Sequence, residues 1–193
     1  MIWKMRDKHA RLSIISITIF SLLAACGGLS SKQKAAAANA LKALQKLNAA
    51  TEIGVNYQSY QLLLIEAKTQ VNEAESVLSD GELKSELSAA MDAYADAGDA
   101  WGAFIREGKG DEVDSFLLLN KTESLMPVTE GQATARRLRE KYKLQTTDDI
   151  ASILTNRLSE ESKYNSIIRS KTLPVIWSAA KEHVGRASNL LEE

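Results

Sequence analysis

Few residues of this 193-residue chain could do covalent, acid–base or metal chemistry. Cys26 is the only cysteine, so its thiol is the one strong nucleophile; it can be alkylated to a stable thioether but has no second thiol for a disulfide. The histidines are His9 and His183, and Glu182 directly precedes His183, so the Glu-x-x-His spacing of di-iron bundles is missing. No His-Glu-x-x-His, Cys-x-x-Cys-His, Gly-x-Ser-x-Gly or phosphate-gripping glycine loop occurs. The sequence therefore predicts no metal and no cofactor, and His183 reads as a partly buried packing residue.

Three sets of side chains remain. Glu66, Glu73, Asp92, Asp96 and Asp99 flank apolar stripes and read as solvated carboxylates, since a glycosidase-type pair needs an acid in a protected cleft. Arg136, Arg137, Arg139, Lys141 and Lys143 form a basic cluster, read either as an exposed helix face or as a surface for anionic headgroups or an acidic partner. Tyr57, Tyr60, Tyr94 and Trp101 could line an aromatic pocket between helices, with core packing the simpler account.

The surroundings of Cys26 give its thiol a task. Lys4, Arg6, Lys8 and Arg11 make a basic leader, Leu12 to Leu23 an apolar run, and Ala24 and Ala25 a small-residue site. That is the layout of a secretory signal peptide, and the apolar run is shorter than the ~20 residues of a membrane span. Leu23-Ala24-Ala25-Cys26 resembles the lipobox of bacterial lipoproteins, and Gly27-Gly28 continues it as a flexible tether. The resemblance covers residues 1–28 only. It implies lipidation of Cys26, cleavage after Ala25 and attachment to a membrane through the lipid. With Gly27 rather than Asp after the cysteine, it also implies an outer-membrane address facing the periplasm in a Gram-negative envelope. One acyl chain binds a membrane only marginally, whereas two or more anchor it. The expected organisation is a signal peptide at 1–25, lipidated Cys26 with a short linker at 26–31, and one domain at 32–193.

Without the leader, 20 basic residues face 24 acidic ones, a net charge of −4. That disfavours a nucleic-acid partner, which wants a basic surplus. Proline occurs only at 127 and 174, while Ala, Leu, Glu, Lys and Gln abound. These are strong helix formers, and the predicted fold class is all-α: an antiparallel helical bundle built on a long N-terminal helical hairpin.

The elements that must position these side chains follow from spacing. Ile53, Tyr57, Tyr60, Leu64, Ala67, Val71, Ala74 and Leu78 alternate four and three apart, the seam of a bundle helix. Ala37, Ala40, Leu44, Leu47 and Thr51 form an earlier stripe, out of phase with the later one. The expectation is one helix from about Ser31 to Ser79, roughly 70 Å long, with a bend near Gly54. Asp80-Gly81 then turns the chain into a second helix carrying Leu83, Leu87, Ala90, Tyr94, Ala97, Trp101 and Phe104. Beyond it the sequence predicts a short helical piece through Phe116–Leu119 and a helix with Ala133, Leu138 and Tyr142 inward. It also predicts one with Ile150, Leu154, Leu158, Tyr164 and Ile168 inward, and a last helix with Pro174 in its first turn. Ile176, Ala180, His183, Ala187 and Leu190 line the inner face of that last helix, beside Trp177 and Val184.

A second stripe on the first helix, Val55, Leu62, Ile65 and Thr69, needs its own neighbours. The C-terminal helices are expected to cover it; otherwise Val55, Leu62 and Ile65 form a patch for a partner. Two functions follow. One is a lipid-anchored interaction or structural module of a bacterial envelope with a protein partner. The other is a small-ligand-binding bundle, or an enzyme with its site between helices.

Overall fold

The computed structural model describes residues 28–108, 115–119, 127–146 and 166–193. The leader, Cys26 and the predicted inward residues Ile150, Leu154, Leu158 and Tyr164 lie outside the described residues.

Five helices form an all-α bundle among the described residues: α1 (Ser31–Ile53), α2 (Tyr57–Val77), α3 (Glu82–Glu107), α4 (Glu130–Tyr142) and α5 (Arg169–Glu192). Ser30 opens α1 with a capping box: its side chain accepts from the Gln33 amide while the Gln33 side chain accepts from the Ser30 amide. Gly54 closes α1 at φ 92°, a conformation that favours glycine, and Asn56 caps α2 by accepting from the Ser59 amide at 2.8 Å. The single bent helix expected from Ser31 to Ser79 is thus two helices. The chain reverses at Gly54, and α1 and α2 pack as a hairpin, with Gln33 Nε2 donating to the Val77 carbonyl at 3.0 Å and Lys46 meeting Glu66 at 2.7 Å. The out-of-phase stripes were the mark of two helices facing different neighbours.

The turn at Asp80-Gly81 then sends α3 back along α2 as expected. α3 is the central element, packed against α2, α4 and α5, and its stripe from Leu87 through Ala90, Tyr94, Ala97 and Trp101 to Phe104 is buried. Small residues let α2 approach it. A Cβ on Gly102 would stand 2.7 Å from Tyr57 Oη, and one on Gly98 would stand 3.1 Å from Leu64 Cδ2. α5 runs antiparallel to α3, with His183 near Glu86 at one end and Arg169 over the Trp101 ring, 4.9 Å from its centroid, at the other.

Three further expectations are corrected. Phe116–Leu118 is a strand, β1, not a helix; it pairs antiparallel with β2 (Ser166–Ile168), which therefore takes Ile168 out of any helix. Leu117 and Ile167 face each other in that pair and are both buried, while Phe116 and Leu118 on the other face of β1 are half-buried, an alternation of period two rather than a helical one. α5 begins at Arg169, which puts Pro174 inside the helix rather than in its first turn. On α4, Ala133 is exposed and Ala135 takes the inward position beside Leu138.

Candidate functional site

α4 lies along α3 in the opposite direction, and it carries the basic cluster. Thr129 starts it with a capping box to Gln132, and the Glu107 carboxylate at the end of α3 accepts from the Gly131 amide at 2.9 Å. A carboxylate at a helix N-terminus is favourable for both hydrogen bonding and the helix dipole. Lys143 ends α4 in the left-handed conformation, φ 52° and ψ 43°.

The helical repeat divides the five cations between two faces. Arg137 and Lys141, one turn apart, point at α3, where Asp96 is buried with 6% of its surface exposed. Arg137 Nη1 donates to Asp96 Oδ1, Lys141 Nζ to Oδ2 at 2.7 Å, and the Tyr142 hydroxyl to Oδ2 at 2.8 Å. A second Arg137 nitrogen reaches Asp99 at 3.3 Å. Burial opposes ionisation of Asp96, but the hydrogen bonds from Arg137, Lys141 and Tyr142 outweigh it and hold the carboxyl below its usual range. Burial and the bond to Asp96 push the Tyr142 phenol above the ordinary tyrosine range. The reading of Asp96 as a solvated carboxylate is therefore wrong, and Arg137 and Lys141 are not free cations; Asp92 and Asp99 are exposed as expected.

Arg136, Arg139 and Lys143 face away from α3. With Glu140, Leu119 and Leu144 they line an open depression of about 590 Å³. Arg136 Nε donates to the Leu119 carbonyl at 2.7 Å, which fixes the guanidinium plane. None of the three forms an ion pair among the described residues.

The aromatic set splits similarly. Tyr60, Tyr94 and Trp101 are core residues, with Trp101 centred 5.6 Å from Tyr57, 5.5 Å from Tyr60 and 5.9 Å from Trp177. Tyr60 Oη donates to the Tyr94 carbonyl at 2.7 Å, Tyr94 Oη to Asn48 at 3.2 Å, and burial pushes both phenols well above the ordinary range. Tyr57 lines a cleft of about 330 Å³ between α2, α3 and α4, together with Gln61, Lys68, Asp99, Arg106 and Glu130.

His183 is half-buried as read from sequence. Its Nδ1 lies 2.7 Å from Glu86 Oε2 and 2.7 Å from an Arg186 nitrogen, while Arg186 Nε donates to Glu86 at 3.0 Å. Burial opposes ionisation of Glu86, but the bonds from His183 and Arg186 prevail and lower its pKa. This is a three-residue clasp between α3 and α5.

Two residues of the expected patch are exposed and the third is not. Leu62 and Ile65 are 65% and 62% exposed, so the C-terminal helices do not cover them. Val55 belongs instead to the turn before α2 and packs half-buried against the core. The exposed large hydrophobics, Ile53, Leu62, Ile65, Ile105, Val128 and Val175, lie from the middle of the bundle to the end where α1 meets α2. Among the described residues no His, Cys, Asp and Glu group is placed to hold a metal, and no helix is long and apolar enough to cross a membrane.

Comparison with known proteins returns no match, whether to a family model, a curated protein or a solved structure.

Proposed function

We propose that this chain is a lipid-anchored helical module of a bacterial cell envelope, tethered through Cys26 and offering the far part of its bundle to an envelope protein. In a Gram-negative cell its address is the outer membrane, facing the periplasm. The observation that carries this reading is Leu23-Ala24-Ala25-Cys26 standing directly before an ordered bundle. Leu29 already packs against the core and Ser30 already caps α1, so the tether between lipid and domain is only Gly27 and Gly28.

That short tether gives the bundle a near end and a far end. The near end holds the start of α1, the α2–α3 turn with Ser79, Asp80 and Gly81 exposed, and the end of α5. The large exposed apolar side chains begin at mid-height, and α1 spans about 35 Å to the far end, so Ile53 stands well clear of the lipid surface. Exposed apolar groups held off a membrane suit a protein partner better than the bilayer itself.

Mass spectrometry of the native protein with membrane fractionation tests the anchor. A diacylglyceryl-modified Cys26 at the new N-terminus is expected, with Cys26→Ser lost from the membrane fraction; an intact Met1, or unchanged partitioning of Cys26→Ser, would sink the proposal. The far surface is tested by crosslinking in intact envelopes with Leu62→Glu and Ile65→Glu, each of which should remove adducts formed by the wild type.

A second reading, a small-ligand binder, keeps one supporting observation: the 330 Å³ cleft beside Tyr57, within the usual range for small-ligand sites.

A further inference from the structure

We propose that the depression on the outer face of α4 is an anion site for a phosphoryl group, carried on a body with some apolar surface. Three observations converge there. Among the described residues Arg136, Arg139 and Lys143 line it beside a single acid, Glu140, a cationic excess that suits the charge of a phosphoryl group. Arg136 is already oriented: its Nε is bound to the Leu119 carbonyl, leaving the terminal guanidinium nitrogens for a paired contact with two phosphate oxygens. Leu119 and Leu144 form an apolar floor beneath the cations, which a headgroup or sugar carrying the phosphate would cover.

The residue pattern also separates this site from ordinary surface charge. Arg137 and Lys141 on the same helix have their carboxylates, Asp96 and Asp99, across the interface. Positions 136, 139 and 143 follow the i, i+3, i+7 pattern of one helix face, and none of their side chains forms an ion pair among the described residues. Lys143, held left-handed at the end of the helix, extends the same face beyond the last turn.

The same phosphoryl chemistry could come from an anionic phospholipid headgroup or from a soluble phosphate ester. The site itself does not require the anchor, so it is read first on the full chain in neutral detergent, by calorimetric titration with inorganic phosphate at a slightly alkaline pH. Saturable binding is expected that weakens with added salt. Arg139→Gln with Lys143→Gln should weaken it about tenfold or more, while Lys32→Gln with Lys34→Gln, two exposed cations on α1, should leave it unchanged. Glu140→Gln removes a carboxylate from the lining and should tighten binding several-fold; a folding defect cannot mimic that gain. No saturable binding by the wild type overturns the proposal. So does equal loss in the α1 control, or weaker binding by Glu140→Gln.

Repeating the titration in nanodiscs then tells the sources apart. Phosphate affinity that falls in phosphatidylglycerol discs relative to phosphatidylcholine discs, with the fall abolished in the Arg139/Lys143 variant, assigns the site to lipid headgroups. Equal affinity in both discs assigns it to a soluble phosphate ester. If the native protein proves unlipidated, the detergent titration still decides the site.

Discussion

The two faces of α4 both carry cations and have opposite fates. On one, Arg137, Lys141 and Tyr142 converge on a single buried carboxylate and hold the helix to α3. On the other, Arg136, Arg139 and Lys143 line a depression together with Glu140. A run of five cations in eight positions looks like one patch, but the 3.6-residue repeat divides it into a structural half and an available half. The difference teaches that a charge cluster's role is set by what the neighbouring helix presents, here Asp96, rather than by its own density.

The comparison is broken most severely at Leu138, the buried residue that seats α4 on the bundle. Leu138→Ala should cost about 3 kcal/mol by removing buried methyl groups and leaving a cavity, measured by urea denaturation, and should disturb both faces together.

Asp96→Ala comes next. Breaking a buried pair can cost 3–5 kcal/mol, but Arg137 is 47% exposed and water screens part of the interaction. The expected loss is therefore about 2 kcal/mol, with the outer face still binding phosphate. The same residue predicts a pH effect. Its folded pKa is below the ordinary 3.8, so its stabilisation is fully present above that value and is lost as the pH falls from there through the folded pKa. The acid limb of wild-type stability should be steeper than that of Asp96→Asn. Glu86 contributes a similar limb of its own through His183 and Arg186, so the limb should be reduced in Asp96→Asn and not abolished.

Tyr142→Phe keeps the ring and deletes one of three donors to Asp96, so a loss of about 1 kcal/mol is expected. The smallest effect sharpens the contrast: Arg139→Gln with Lys143→Gln should change stability by less than about 0.5 kcal/mol. A large destabilisation there would mean that the outer cations also hold the fold.

Much of the fold was legible because helical periodicity is a local property. The stripes from Ala37 to Leu47, Tyr60 to Leu78 and Leu87 to Phe104 are the buried faces of α1, α2 and α3, and the Asp80-Gly81 turn lies where the composition puts it. Gly54 with Asn56 two residues on carried a helix stop and a cap, and the phase change between stripes pointed to two helices; reading it as a bend overlooked that signal. For Phe116–Leu118 no local signal was sufficient, because a short apolar run suits a buried strand or a buried helix equally. The candidate site was half legible. All five cations were named, but their division required knowing which face of α4 meets α3.

By itself the sequence determined the helical class, the inner face of each long helix, and a thiol set behind a basic and apolar leader, since these depend on residue type and short spacing. Tertiary structure decided what Asp96 is for. Its partners lie 41 to 46 residues away in the chain, and only the packing of α4 across α3 removes it from water and brings them within bonding distance. The same packing turns three neighbouring cations outward, away from Asp96. Burial and pairing at that range belong to the assembled bundle, because a side chain's solvation depends on every element that surrounds it.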